Sequence, residues 1–309
     1  MNLLGRHSSP KPTRKAKYGW IVLLFVLIAG SSYLVVNQFF AQQQTVQPKV
    51  VKKTNPKKMN TPATLETTET VSTNSTQQSS EPEPQLDSTQ LLASAEQVYY
   101  GIHYFNGDKD FSSNNSAPTI SASVIKVFIM DYAFMQADPN EQIQDRTLND
   151  WVVPMIQQSD NNAANVLIDY FGMDKLNDFF QAQGYQDTRL ERKMLDNEAR
   201  SQGQENYTSL TDCMTFLKQL YQQQGTYPQS AMLEIMQGQT IRTKIPSKLS
   251  GDVLVANKTG ELDYVENDIG LVLSETNPFA IVVLTQNSKN SAETRQAIGD
   301  FALAATKIK

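Results

Sequence analysis

Three short motifs carry residue types that can do covalent chemistry: Ser123-Val124-Ile125-Lys126, Ser159-Asp160-Asn161 and Lys258-Thr259-Gly260. A serine hydroxyl barely ionises at neutral pH, so Ser123 needs a base to become a nucleophile. His7 and His103 are the only histidines, which removes most histidine-based chemistry and leaves a lysine or a carboxylate as the base. A lysine three residues along a helix shares a face with the serine, which makes Lys126 the natural helper. It must be neutral to accept a proton, and burial near a second cation, for which Lys258 is the candidate, lowers its pKa toward that state. Ser123 at a helix N-terminus would also have outward backbone N–H groups to stabilise an oxyanion.

Taken singly, each motif has a structural explanation. Ser8-Ser9-Pro10-Lys11 has the same Ser-x-x-Lys form in a basic tail, Ser-Asp-Asn is an ordinary helix cap, and Lys-Thr-Gly is an ordinary strand end. Their order and the elements beneath them are more specific. Val98 to Phe105 is aromatic and β-branched and ends at Asn106-Gly107, which predicts a strand and a hairpin turn. Ser121 to Met135 reads as a helix with Ser121 as N-cap, followed by helical patterns over 148–158, 160–171 and 173–182. After an irregular polar stretch at 184–207, helices are expected over 211–223 and 228–236. Strands follow at 253–257, 269–274 and 279–285, and an amphipathic helix at 292–308. This order predicts a sheet built from both chain ends with an all-helical insertion as a second lobe.

With motifs and elements together, residues 91–309 resemble a class A β-lactamase-type serine hydrolase domain, of the superfamily that includes penicillin-binding proteins. Met155 to Asn165 resembles the family around its central motif, Asp187 to Arg192 the approach to its active-site loop, and 257–273 with the last helix its C-terminal end. The resemblance implies a mixed α/β two-lobe fold in which an antiparallel sheet carries the helical lobe. It implies Ser123 as nucleophile, Lys126 as base or proton relay, and Ser159 as proton donor to the departing nitrogen. Asn161 would hold the substrate amide and Lys126, while Lys258, Thr259 and Gly260 form the strand that receives the substrate carboxylate. The oxyanion would lie between the backbone N–H groups of Ser123 and Glu261.

Two departures from the family pattern matter. Hydrolytic members place a Glu two residues after the arginine matching Arg192, to drive water onto the acyl-enzyme; here Met194 stands there, or Lys193 with a one-residue gap. Glu191, Asp196 and Glu198 are the nearby carboxylates, and nothing in the sequence favours any of them as a substitute. Slow deacylation is the expectation. Ser123 and Ser159 also lie closer in sequence than in class A enzymes, which predicts a more open cleft. The implied function is acyl-enzyme formation with β-lactams or cell-wall peptide amides. The alternatives are a D-Ala-D-Ala carboxypeptidase or transpeptidase of penicillin-binding type, and a pseudo-enzyme that binds wall fragments.

The remaining residues read structurally. His103 is expected to be a half-buried sheet residue, Tyr99, Tyr100, Tyr104 and Phe105 sheet packing, and Cys213 core. Glu191 with Arg192 reads as a loop ion pair, and Asp268 as a buried hydrogen-bonding residue. One cysteine excludes an intrachain disulfide and a Cys-rich zinc site, no metal-ligand spacing appears, and no cofactor is expected.

Net charge separates the chain into two parts. Residues 1–90 hold ten Lys/Arg against five Asp/Glu, and residues 91–309 seventeen against twenty-seven, so the C-terminal part is net acidic and nucleic acid is not an expected partner. Residues 1–18 form a basic tail expected in the cytoplasm, and 19–40 an uncharged apolar segment long enough for a signal anchor across the membrane. The alternative is a cleaved signal peptide with Ala29-Gly30-Ser31 as the small-residue site; the apolar run continues past it. Residues 41–90 lack aromatics and are rich in Gln, Ser, Thr, Asn and Pro, a composition that predicts a disordered extracellular stalk.

Overall fold

The computed structural model describes residues 86–308 of the chain. The basic tail at 1–18, the apolar segment at 19–40 and most of the stalk at 41–90 lie outside the described residues. Among those described, no helix is long and apolar enough to cross a membrane.

Helix α1 (Thr89–Ser94) leads into β1 (Ala95–Tyr104) and, through a turn, β2 (Lys109–Ser112). β3 (Thr119–Ile120) and a 3-10 turn (Ala122–Val124) run into α2 (Ile125–Gln136); a small hairpin, β4 (Gln142–Ile143) with β5 (Arg146–Thr147), then precedes α3 (Leu148–Gln157). Four helices and one short strand complete the middle: α4 (Asn161–Phe171), α5 (Met173–Ala182), α6 (Asn197–Ser201), β6 (Tyr207–Thr208) and α7 (Leu210–Gln222). After α8 (Gln229–Gln237) come β7 (Leu254–Leu262), β8 (Val265–Leu273), β9 (Phe279–Ser288) and α9 (Ser291–Ala305). The main sheet runs β2-β1-β9-β8-β7 with antiparallel pairing throughout. The N-terminal strand β1 lies on β9 with Tyr99 opposite Leu284, so both chain ends build one sheet, as expected from the order of elements.

Strand period explains how this sheet is covered on both faces. Alternate residues of β9, Ala280, Val282 and Leu284, join the helical lobe's core with Phe128, Phe180 and Phe216. The intervening Phe279, Ile281 and Val283 join a second core with Ile298, Phe301 and Ala302 of α9. A strand buried on both faces has a continuous apolar run, which is how 279–285 reads in the sequence.

Three local expectations differ from the structure. Ser121 does not cap the helix; its hydroxyl donates to Asn206 O at 2.9 Å, and Ala122 takes φ +46° before a 3-10 turn opens α2. β7 runs five residues past its expected end and β8 starts four residues before its expected beginning, because Lys258-Thr259-Gly260-Glu261 and Glu266-Asn267-Asp268 lie inside the ladder, with Thr259 opposite Asp268. Polar residues with partners elsewhere in the fold hide the strand period from the sequence. The 184–207 segment contains α6, and Arg189 bridges Tyr207.

The sheet meets the Ser123 turn at Gly260. A Cβ at this position would lie 2.7 Å from Ser121 O and 3.1 Å from Val124 N, closer than a side chain tolerates. Asn267 on β8 ties the same segment down, donating to Ile120 O at 2.9 Å while its Oδ1 accepts Thr285 N. Gly260→Ala is expected to destabilise the fold by about 1–3 kcal/mol through this overpacking. Denaturant unfolding of the variant against the native protein measures the loss, and equal midpoints would show that the turn and strand can separate at no cost.

Candidate active site

The three motifs converge on one amine. Lys126, the second residue of α2, is fully buried, and its Nζ lies 3.1 Å from Ser123 Oγ, 2.8 Å from Ser159 O, 3.3 Å from Ser159 Oγ and 2.7 Å from Asn161 Oδ1. Ser159 sits between α3 and α4 with φ +59°, a left-handed conformation that brings its carbonyl and hydroxyl to the same amine. Pro154 O accepts from both Gln158 N and Asp160 N, closing α3 just before Ser159. Asp160 then caps α4, accepting from Asn162 N and Ala163 N, which places Asn161 as the first helical residue with its side chain on Lys126.

Hydrogen-bond accounting assigns the protons. Ser159 O and Asn161 Oδ1 can only accept, so they take two N–H groups of Lys126. An ammonium has a third N–H for a serine oxygen; a neutral amine instead presents its lone pair, and Ser123 Oγ is placed to donate its proton. Burial favours the neutral form, pulling the Lys126 pKa down to about 7, with Asp160 opposing the shift. Lys258 on β7 donates to Ser159 Oγ at 3.0 Å and to Thr259 O at 2.8 Å. Burial first, and then the Lys126 charge, hold its pKa well below that of a free lysine, against the pull of Asp268.

Ser123, Lys126, Ser159, Asn161 and Lys258 therefore form one connected group. Thr259 and Gly260 follow in the same strand, Thr259 almost fully buried and Gly260 against the Ser123 turn. Glu261 is the outlier, because its side chain points into an ion-pair group: it pairs with Lys244 and with Arg295, which also hold Glu266. Lys244, Glu266 and Arg295 were not legible as site residues, since they come from a loop, a strand and the last helix with no shared spacing.

The 187–206 loop is held by pairs other than those expected. Arg192 pairs with Glu205 at 2.6 Å, not with Glu191, which binds Arg189 at 2.7 Å. Asn206 Oδ1 accepts Glu191 N and Arg192 N, and the Asn165 side chain bonds both Met194 N and Met194 O, at 2.8 and 3.0 Å. Met194 is thus buried, and Asn165 fixes its backbone in the loop. Among the nearby carboxylates, Glu191 is engaged by Arg189 and Asp196 caps α6 by accepting Ala199 N. No hydrogen bond joins Glu191, Asp196 or Glu198 to Ser123 or Lys126 among the described residues.

The structurally read residues lie as follows. His103 is 5% exposed, more buried than expected, with Nδ1 2.9 Å from Asp110 Oδ1 and Asp108 nearby across the hairpin. Those three side chains come within metal-ligand reach of one another, but Lys218 already stands 3.5 Å from Asp110. Cys213 is in the core, where burial pushes its thiol up to about 12. Asp268 accepts Asn257 Nδ2 and Ile245 N and is raised by burial to about 6.

Comparisons with known proteins bear on family and fold. A model of the beta-lactamase enzyme family matches residues 141–308. No curated protein matches the chain. Among solved structures, the chain is similar to a beta-lactamase from Sphaerobacter thermophilus at 25% identity and TM-score 0.61, the likeness covering 71% of this chain and 94% of that one. A beta-lactamase from Chitinophaga pinensis is similar at 18% identity and TM-score 0.62, over 71% and 96% of the two chains. PBP-A is similar at 19% identity and TM-score 0.58, over 72% and 97%; a mutant of PBP-A has been solved as an acyl-enzyme complex with penicillin G. The last two likenesses concern the fold, a mixed α/β architecture with a helical lobe on an antiparallel sheet.

The buried amine has a measurable consequence. Free lysine titrates near 10.5 and Lys126 near 7, so between those values the unfolded chain binds a proton that the folded one does not. Folding stability should therefore rise with pH across that window, by at most about 1.4 kcal/mol per pH unit for one group. Below pH 7 both states are protonated and the slope vanishes. Unfolding free energies at pH 7 and 9, compared between the native protein and Lys126→Met, should show a smaller rise in the variant. An equal rise in both proteins would place the proton elsewhere.

Proposed function

The chain belongs to the beta-lactamase enzyme family, and from that premise we propose that it is a serine acyl-transfer enzyme that forms an acyl-enzyme on Ser123. The observation that carries this reading is the Lys126 amine, fully buried and 3.1 Å from Ser123 Oγ, with two obligate acceptors on its other side. In the proposed reaction the Ser123 Oγ–H proton passes to the Lys126 lone pair as Oγ bonds to the substrate carbonyl carbon. The carbonyl oxygen gains the negative charge and lies between the backbone N–H groups of Ser123 and Glu261. When the C–N bond breaks, the Ser159 hydroxyl gives its proton to the departing nitrogen and is resupplied by Lys126 or Lys258, both within hydrogen-bond reach of it. Asn161 holds Lys126 and offers its amide to the substrate, and Lys258 with Thr259 receives the substrate's outer end.

Release of the acyl group needs an activated water. Met194 has no proton-accepting atom, and Asn165 fixes it in the loop. We infer slow hydrolysis, so the protein acts more as an acyl-enzyme former of penicillin-binding type than as an efficient antibiotic-destroying enzyme. The substrates in this reading are β-lactams and related cell-wall peptide amides. Carboxypeptidase and transpeptidase action are its natural extensions, differing only in whether water or an amine takes the acyl group.

The sequence supports a location at the membrane in this reading, with the apolar segment 19–40 as anchor, the basic tail 1–18 inside and the domain outside beyond its stalk. An extracellular active site would face wall peptides directly. Proteolysis of intact cells that releases the domain is the expected result; protection from protease would place it inside.

Intact mass after incubation of the full chain with penicillin G is expected to show a persistent adduct of one acyl group, absent in Ser123→Ala. Its rate of formation should rise as pH passes about 7, because the proton acceptor is the neutral Lys126 amine. Adduct on Ser123→Ala would assign the nucleophile elsewhere, and no adduct on the native protein would favour a non-catalytic wall-binding role. Met194→Glu should speed loss of the adduct by about 10²-fold or more, the usual contribution of a positioned base. An unchanged decay rate would mean that position 194 does not face the acyl carbonyl.

A further inference from the structure

Glu261 follows Gly260 in β7 and holds two cations beside the motif strand. One carboxylate oxygen takes Lys244 Nζ and the other accepts Arg295 Nη2 at 3.2 Å. Glu266, its partner across the β7–β8 ladder, holds the same cations, with Lys244 at 3.1 Å and Arg295 at 2.8 Å. Two positive and two negative charges therefore compensate one another. The two carboxylates differ in freedom: Glu266 is 1% exposed, whereas the Glu261 side chain is 35% exposed. Glu261 borders an open cleft of about 590 Å³ that is also lined by Asp263, Tyr264, Lys289 and Arg295. Ser123, Lys126, Ser159 and Lys258 do not line this cleft; Glu261, which follows the motif in β7, does.

We propose that Glu261 is a specificity determinant that occupies, with its own carboxylate, the position of a substrate carboxylate, so that the native site prefers acyl donors carrying an uncharged amide or ester at that end. The inference rests on the acyl-transfer reading of Ser123. A donor whose carbonyl lies at the N–H groups of Ser123 and Glu261, and whose outer end reaches Lys258 and Thr259, has that end beside the Glu261 side chain. Lys244 and Arg295 are already neutralised there by Glu261 and Glu266. An anionic end must displace Glu261 from both partners or tolerate a like charge; an uncharged end does neither. Burial opposes ionisation of Glu261, but the hydrogen bond and charge of Lys244, with Arg295 and Lys258, hold it below the usual carboxylate range. The side chain is an anion at neutral pH.

The test compares penicillin G, a carboxylate, with its uncharged methyl ester as acyl donors to the full-length native protein and to Glu261→Gln. The ratio of acylation rates, carboxylate over ester, is expected to rise about tenfold in the variant, the size of one released charge contact at a partly exposed site. Lys244 keeps Glu266 in that variant, and Glu261→Ala should move the ratio the same way without the amide. An unchanged or lower ratio in both variants overturns the proposal. If neither compound acylates any of these proteins, the acyl-transfer reading fails separately. The specificity claim is then read from dissociation constants of the two compounds on Ser123→Ala and on the Ser123→Ala, Glu261→Gln double variant. A tenfold change in their ratio supports it and an equal ratio overturns it.

Discussion

An amine buried without a carboxylate of its own governs this structure. Lys126 is surrounded by neutral acceptors, two of which can only accept, and its nearest anion, Asp160, is committed to capping α4. Burying a full charge in that setting is costly, and the protein lowers the cost by lowering the pKa toward neutrality. The same desolvation that would destabilise an ordinary lysine supplies a base near neutral pH. The second lysine, Lys258, shares this environment through the Ser159 hydroxyl, and burial first, then the Lys126 charge, hold its pKa well below that of a free lysine.

Backbone strain gathers around that amine. Ala122 and Ser159 both take positive φ, and Gly260 lets β7 approach the Ser123 turn more closely than any side chain would allow. Such conformations persist only where the surroundings over-determine them. Here Asn267 and Ser121 fasten the turn from the sheet and from the 206 segment, while cores on both faces of β9 make the sheet a stiff base.

The proposed acyl transfer draws on this centre, and two further features lie around it. The 187–206 loop holds a buried Met194, and Lys244 and Arg295 beyond the motif strand are neutralised by Glu261 and Glu266. Neither feature makes a hydrogen bond to Lys126 among the described residues. In the proposed reading, reaction chemistry and substrate choice are carried by separable groups of residues.

Element order, the two-lobe arrangement and the grouping of Ser123, Lys126, Ser159, Asn161 and Lys258 were legible from the residues alone. Those features are local or periodic: apolar runs mark buried strands, and three motifs at fixed spacings sit on recognisable elements. The sequence also has Met194 two residues after Arg192 and no carboxylate at either 193 or 194. Tertiary structure alone decided the rest. Ser121 turned from a helix cap into an anchor on Asn206, 85 residues away, and Arg192 found Glu205 in place of its neighbour Glu191. The strands β7 and β8 extended through polar residues whose partners lie across the ladder, and Lys244, Glu261, Glu266 and Arg295 met from four separate elements. Pairings of charge and hydrogen bond across long sequence separations leave no periodic trace, since one side chain fits many partners until the fold brings a particular one within reach.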